Sequence, residues 1–327
     1  MKLESFKQHL KGVSLILQTP FNSDGSLDLE GMRHNLRWML KYTKDKDFIY
    51  STLGSGGEFY ALSEEEQHSV IKTVIEEVNG QHAVVVGGGR AGTLETVRIC
   101  KYAQSAGADG ALVVLPYYHV PQEEGMYQHF KVLAESVDPD FGLIVYNNSG
   151  ATGSWVKPHL MKKLSALPNI VALKENTGEF GSFYAMMRSI DPADMVIFTG
   201  IGELMYSVEA AYGVVGLFSS MAGFAPELAW EVYEAGHSKD FDKLTELINT
   251  RVWPYFHFRA RTNLDHGPNT SVPGAGGGLA GSQYISVIKA AMEIRGFHAG
   301  VPRLPLLDLT DQEKAELREV VKAMKLP

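Results

Sequence analysis

Cysteine is nearly absent: Cys100 is the single one in 327 residues, which excludes an internal disulfide and any cysteine-cluster metal site. Its helix-like surroundings predict a small, buried, inert side chain. No apolar run approaches the roughly 20 residues of a membrane span. Residues 1–17 break up their apolar positions with Lys2, Glu4, Lys7, His9 and Lys11, so they hold no signal-peptide core. A cytoplasmic protein that uses no membrane is the expectation. Long basic runs are missing too: 30 Lys and Arg face 38 Asp and Glu, a formal charge of −8, which argues against nucleic acid as a partner. The eleven histidines are scattered, and His257, His266 and His298 lack metal-ligand spacing. No metal is expected. Gly87 to Gly89 with Arg90 has no following Lys-Ser or Lys-Thr, so it reads as a tight strand-to-helix turn and not a nucleotide loop. Ser55 lacks a nucleophile-elbow context, and no His and Asp order suggests a triad.

Glycine, by contrast, is abundant: 33 residues, against an average usage of about 7%. Hydrophobic residues make up 45% of the chain, ample for a large core. Short runs rich in Val, Ile and Leu recur at 12–18, 47–53, 83–87, 111–115, 142–146, 170–174, 195–199 and 214–218, with amphipathic stretches between them. That is the pattern of parallel strands buried on both faces by helices. Helices are expected near 28–42, 64–78, 93–106, 124–137, 157–164, 180–190, 203–211 and 226–235. Ser63 before three glutamates and Pro226 at a first-turn position mark two of the starts. Eight alternations without a dinucleotide fingerprint predict an α/β fold, a (β/α)8 TIM barrel over 1–236. A helical C-terminal extension over 237–327 is expected to carry helices at 241–259, 284–295 and 312–324 and a glycine-rich loop or lid near 265–282.

In such a barrel chemistry gathers where the strands end at their carboxyl side. The sixth run ends on Lys174, costly to bury unless its pKa falls or a carboxylate pairs with it. A lysine with a lowered pKa is nucleophilic enough to form an imine with a ketone, and a paired or snorkelling lysine is the competing reading. Glu175 follows it directly, so on an extended strand it points to the other face. Strand five ends on Tyr146, a phenol that can donate and accept protons, or one that simply packs. After strand two, Gly54-Ser55-Gly56-Gly57-Glu58 offers small residues and backbone N–H groups to an anion. Tyr117, Tyr118 and His119 follow strand four.

With these four segments in order, the chain resembles the dihydrodipicolinate synthase and N-acetylneuraminate lyase superfamily of class I aldolases, and the likeness covers nearly the whole chain. Lys289 to Glu293 and Pro302 to Leu306 also look like that family's tail. The resemblance implies a Schiff base between Lys174 and C2 of pyruvate or another 2-oxo acid. It implies no cofactor beyond that covalent imine. Tyr146 would be the general acid and base. Ser55 and Gly56 would hold the 2-oxo acid carboxylate, and Tyr118, given by a neighbouring subunit, would complete a hydroxyl relay with Ser55 and Tyr146. A homo-oligomer, a dimer of dimers, is therefore expected.

Departures from the family pattern bear on the substrate. Synthases of this family carry an arginine in the segment after strand five that binds the aspartate semialdehyde carboxylate; Ala151 stands there, with no basic residue before Lys157. Gly56 replaces a threonine common in relatives. What remains is neutral and polar: Asn148, Ser149, Thr152 and Asn176, joined at the ends of strands seven and eight by Gly200, Glu203 and Phe218. These groups suit a hydroxylated tail. The expected function is aldol cleavage or dehydration of a 2-oxo-3-deoxy sugar acid, with 4-hydroxy-tetrahydrodipicolinate synthase as the alternative. A non-catalytic barrel that binds a sugar acid is the alternative of another class.

Overall fold

The computed structural model describes residues 1–265 and 283–327. Eight parallel strands, β1 (Gly12–Ile16), β2 (Phe48–Thr52), β3 (Ala83–Gly87), β4 (Gly110–Val114), β5 (Gly142–Asn147), β6 (Ile170–Glu175), β7 (Val196–Thr199) and β8 (Gly216–Ser219), close in sequence order, with β8 pairing back onto β1. All eight expected strands are present, and the fold is the (β/α)8 barrel. The strands are buried and mostly apolar because their outer faces lie under helices while their inner faces fill the barrel. Ser63 caps the helix Glu64–Val78 by accepting the Glu66 N–H at 3.2 Å, while Glu66 accepts the Ser63 N–H at 2.9 Å. Pro226 opens the helix Pro226–His237, where its missing N–H costs nothing.

Alternation along each strand sorts the barrel interior. Ile144 and Tyr146 of β5, Ala172 of β6, Phe198 of β7 and Phe218 of β8 belong to one inward cluster, and Lys174, two residues beyond Ala172, lies on the same face. The floor of that cluster comes from a helix the sequence pattern did not reveal, Leu3–His9, whose Phe6 is fully buried. Phe6 enters because β4 and β5 begin on glycine: a Cβ at Gly142 would stand 2.3 Å from its ring. The charges interspersed along residues 1–11 masked this helix, because Phe6 is its only buried residue and Leu10, just past its end, the next to reach the core.

Beyond the barrel, the expected helix over 241–259 is divided. Phe241–Leu247 runs into a wide π turn, Ile248–Val252, and then into Trp253–Asp265. Pro254 is the physical cause: it has no N–H to give to the preceding turn, and its ring displaces the carbonyl four residues back. Tyr284–Ile294 and Asp311–Ala323 complete the C-terminal helices. The glycine-rich stretch expected as a loop near 265–282 lies, from residue 266 on, outside the described residues. Among the described residues, no helix is long and apolar enough to cross a membrane.

Candidate active site

A cavity opens at the carboxyl ends of the strands, with Lys174 at its base. The strand register sets Tyr146 of β5 directly beside Lys174 of β6, and Lys174 beside Phe198 of β7. The ammonium nitrogen sits 3.7 Å from the centre of the Tyr146 ring and 4.6 Å from that of Phe218. Lys174 is only 4% exposed. No carboxylate among the described residues forms an ion pair with it, so burial alone acts and lowers its pKa from 10.5 to about 7. The paired reading of this lysine is thereby set aside. Glu175 points to the other face of β6, where Asn147 donates to it at 2.9 Å and Thr177 also bonds it.

The phenol of Tyr146 is buried and its pKa is pushed up to about 12, chiefly by desolvation. Its oxygen accepts a hydrogen bond from the Asn148 side-chain amide at 2.8 Å. Asn148 cannot easily turn away, because its Oδ1 accepts the Ala151 N–H at 3.2 Å and so caps the short helix Ser149–Thr152. The amide hydrogen of Asn148 is thus aimed at the phenol oxygen, and the Tyr146 O–H is free to point into the cavity.

Opposite Lys174, the turn after β2 forms a 3-10 turn over Ser55–Gly57. The N–H groups of Ser55 and Gly56, at the start of that turn, have no carbonyl to bond within it. Its shape depends on Glu58, which is fully buried in left-handed backbone (φ 54°). The C-terminal extension holds Glu58 there: Lys289 Nζ lies 2.6 Å from one carboxylate oxygen, and the Arg303 N–H donates to the other at 2.9 Å. Arg303 also clamps Glu66 and the Gly25 and Ala61 carbonyls. Both Lys289 and Glu58 are out of water, so removing one partner strands the other charge. Lys289→Met is expected to destabilise the protein by about 3–5 kcal/mol. In chemical denaturation Glu58→Gln/Lys289→Met should recover much of that loss, and equal losses in the single and double variants would contradict the pairing.

The far wall holds residues the sequence reading named and others it missed. Asn176, Gly200, Glu203 and Phe218 line the cavity as expected. Gly200 is required where it stands, since a Cβ there would meet Asn176 Oδ1 and the Glu175 carbonyl, each at 2.6 Å. Glu203 is buried and bonded by the Ser219 hydroxyl, and desolvation raises its pKa. Tyr255, Phe256 and Arg259 of the helix Trp253–Asp265, and Tyr284, also line the cavity. The site is therefore not restricted to neutral polar groups and one acid; it carries a guanidinium from the C-terminal extension. The only sequence signal was the i, i+4 spacing of Tyr255 and Arg259 on a helix, which does not say what that face meets.

Other named residues fall elsewhere. Tyr118 is 82% exposed and lies outside the cavity of its own chain. Ala151 and Ser149 are also absent from the lining, and Thr152 spends its hydroxyl on the Asn148 and Ser154 carbonyls. Cys100 is buried, with its thiol pushed up to about 12. The Gly87 to Gly89 turn is a packing device: a Cβ at Gly87 would meet the Leu53 carbonyl at 1.9 Å, and Arg90 bonds the Gly87 and Gly89 carbonyls. Among the described residues, no group of three His, Cys, Asp or Glu is placed to hold a metal ion.

Comparison with known proteins agrees with this geometry. The chain is 31% identical over 316 residues to a 4-hydroxy-tetrahydrodipicolinate synthase of Archaeoglobus fulgidus, covering 97% of this chain and 99% of the relative. The solved dihydrodipicolinate synthase from Aquifex aeolicus superposes with a TM-score of 0.82 at 27% identity, covering 97% of this chain and 99% of that one. A dihydrodipicolinate synthase variant characterised as monomeric superposes with a TM-score of 0.83 at 28% identity, covering 98% of each chain. Residues 9–272 match the model of the Dihydrodipicolinate synthetase family, and on the fold, the site and these matches together the chain belongs to that family.

Proposed function

We propose that the chain forms an imine between Lys174 and pyruvate and condenses the resulting enamine with an aldehyde that carries a carboxylate, aspartate semialdehyde being the first to test. The observation that carries the imine is a buried, unpaired lysine set against the Tyr146 ring. Burial lowers the pKa of Lys174 to about 7, so the unprotonated amine is available near neutral pH, and that form attacks C2 of the ketone. Tyr146 donates a proton to the departing hydroxyl, so water leaves and the iminium remains. Loss of a C3 proton gives the enamine. Its C3 attacks the aldehyde carbon, the new alkoxide takes up a proton, and water releases the product and restores the amine. The Ser55 and Gly56 N–H groups are suited to the 2-oxo acid carboxylate. No organic cofactor and no metal enters any step.

The names of the relatives favour condensation over the sugar-acid lyase expected from sequence, and Arg259 in the cavity weakens the reason for doubting a carboxylated aldehyde. Ala151 favours a second reading, cleavage or dehydration of a 2-oxo-3-deoxy sugar acid. One experiment separates them: a coupled assay with pyruvate and aspartate semialdehyde, run beside a panel of 2-oxo-3-deoxy acids read as pyruvate release or water loss. Turnover in the first and none in the panel is expected; the reverse would overturn condensation. The exposed Tyr118 suits the hydroxyl relay only if an adjoining subunit receives it, so an oligomer is part of the proposal. A fully active monomer would remove Tyr118 from it.

The pH dependence follows from the unprotonated amine as nucleophile. Imine formation, followed by cyanoborohydride trapping between about pH 5 and 9, is expected to rise with pH up to about 7 and then level off. A rate still climbing at the top of that range would indicate a lysine near its ordinary value of about 10.4.

A further inference from the structure

Arg259 is a cation in the cavity that forms no ion pair among the described residues. It is half-buried, its guanidinium lies 4.4 Å over the Phe256 ring, and it shares the cavity lining with Lys174. Comparably sheltered arginines are otherwise engaged: Arg33, Arg251, Arg295 and Arg303 each pair with a carboxylate, and Arg90 donates to Gln67 and to the Gly87 and Gly89 carbonyls. Arg259 has no carboxylate bonded to it among the described residues; its polar neighbour is the Tyr255 hydroxyl of the same helix. The acid on the same wall, Glu203, lies near enough to feel the guanidinium's charge but forms no ion pair with it. Glu203 is bonded by Ser219, and its burial favours the protonated form. A guanidinium offers a planar pair of donors that matches a carboxylate.

Its place in the barrel says which carboxylate. The turn holding Ser55 and Gly56 follows β2, opposite β6 in the barrel order, whereas Glu203 and Phe218, which share the wall with Arg259, lie near the ends of β7 and β8, one and two strands from Lys174. A 2-oxo acid bound through C2 to Lys174, with its first carboxylate at the β2 turn, sends its remaining chain toward the Arg259 side. We infer that Arg259 binds a second carboxylate, at the end of the substrate remote from the imine, and so supplies from the C-terminal extension the cation that Ala151 does not provide after β5. The substrate class is then a 2-oxo dicarboxylate, or the carboxylated aldehyde from which one is built. This inference rests on the imine-forming reading of the cavity.

The test uses matched pairs of 2-oxo acids, 2-oxoadipate against 2-oxohexanoate and 2-oxoglutarate against 2-oxopentanoate. Each pair is mixed in equal amounts with the full-length protein and trapped by cyanoborohydride, and the two adduct masses on Lys174 are compared. Their ratio on one protein cancels any change in the lysine itself. For at least one pair the wild type is expected to favour the dicarboxylate about tenfold or more. Arg259→Gln is expected to bring the ratio close to one, with Arg259→Lys between. A ratio near one in the wild type for both pairs, or a preference kept by Arg259→Gln, would overturn the inference. A protein that traps pyruvate but gives no dicarboxylate adduct overturns it as well while leaving imine formation standing. Failure to trap any 2-oxo acid removes both together.

Discussion

Lys174→Met is expected to lose turnover by on the order of 10⁶-fold, the scale seen when a covalent nucleophile is removed, and to unfold at a higher temperature than the wild type. Methionine fills a similar volume without a charge. The first effect follows from the chemistry: without the amine there is no imine and no electron sink for carbon–carbon bond formation. The second follows from where the amine sits. In the unfolded chain this lysine keeps its proton up to about 10.4, whereas in the folded protein it holds the proton only up to about 7. At about 1.4 kcal/mol per pH unit, that difference costs the fold several kcal/mol at neutral pH. Between those two values the unfolded state binds more protons, so wild-type stability rises with pH across the window. The methionine variant lacks that slope. Denaturation curves at several pH values check it; identical slopes would mean that Lys174 is not held with a lowered pKa.

Tyr146→Phe is expected to lower turnover by about 10²- to 10⁴-fold, the range for a lost general acid or base, while imine formation with pyruvate persists at a reduced rate. The ring stays, so the aromatic support 3.7 Å from the lysine nitrogen is kept. Only the hydroxyl goes. With its pKa raised to about 12, Tyr146 is protonated at neutral pH and begins the cycle as a donor. The Asn148 amide, directed at its oxygen, steadies the negative charge when the proton is given up. Single-turnover trapping set beside steady-state rates separates imine formation from the later proton transfers. A variant with full steady-state activity would refute the role of Tyr146.

The barrel was legible because its strands are buried on both sides and stand out as short runs rich in Val, Ile and Leu. The imine-forming pair was legible for a related reason: a lysine or a tyrosine ending such a run breaks the apolar pattern, and the strand period of two turns both inward. Arg259 was not legible. It reaches the cavity from a separate helix whose direction depends on the wide turn before Pro254, and no periodicity in Trp253–Asp265 says which barrel end it meets. The Glu58 and Lys289 pair was hidden in the same way, because each residue alone is an ordinary charge and only the packing of Tyr284–Ile294 against the β2 turn joins them. The helix Leu3–His9 was missed because one aromatic, Phe6, does most of its packing.

The central claim is that Lys174 is the nucleophile, and trapping with pyruvate and borohydride followed by peptide mass mapping tests it most directly. One reduced pyruvyl group is predicted on the peptide containing Lys174, with Lys289 unmodified although burial lowers its pKa as well, because Glu58 holds its charge. An unmodified Lys174, or a pyruvyl group found on Lys289 instead, would contradict the account.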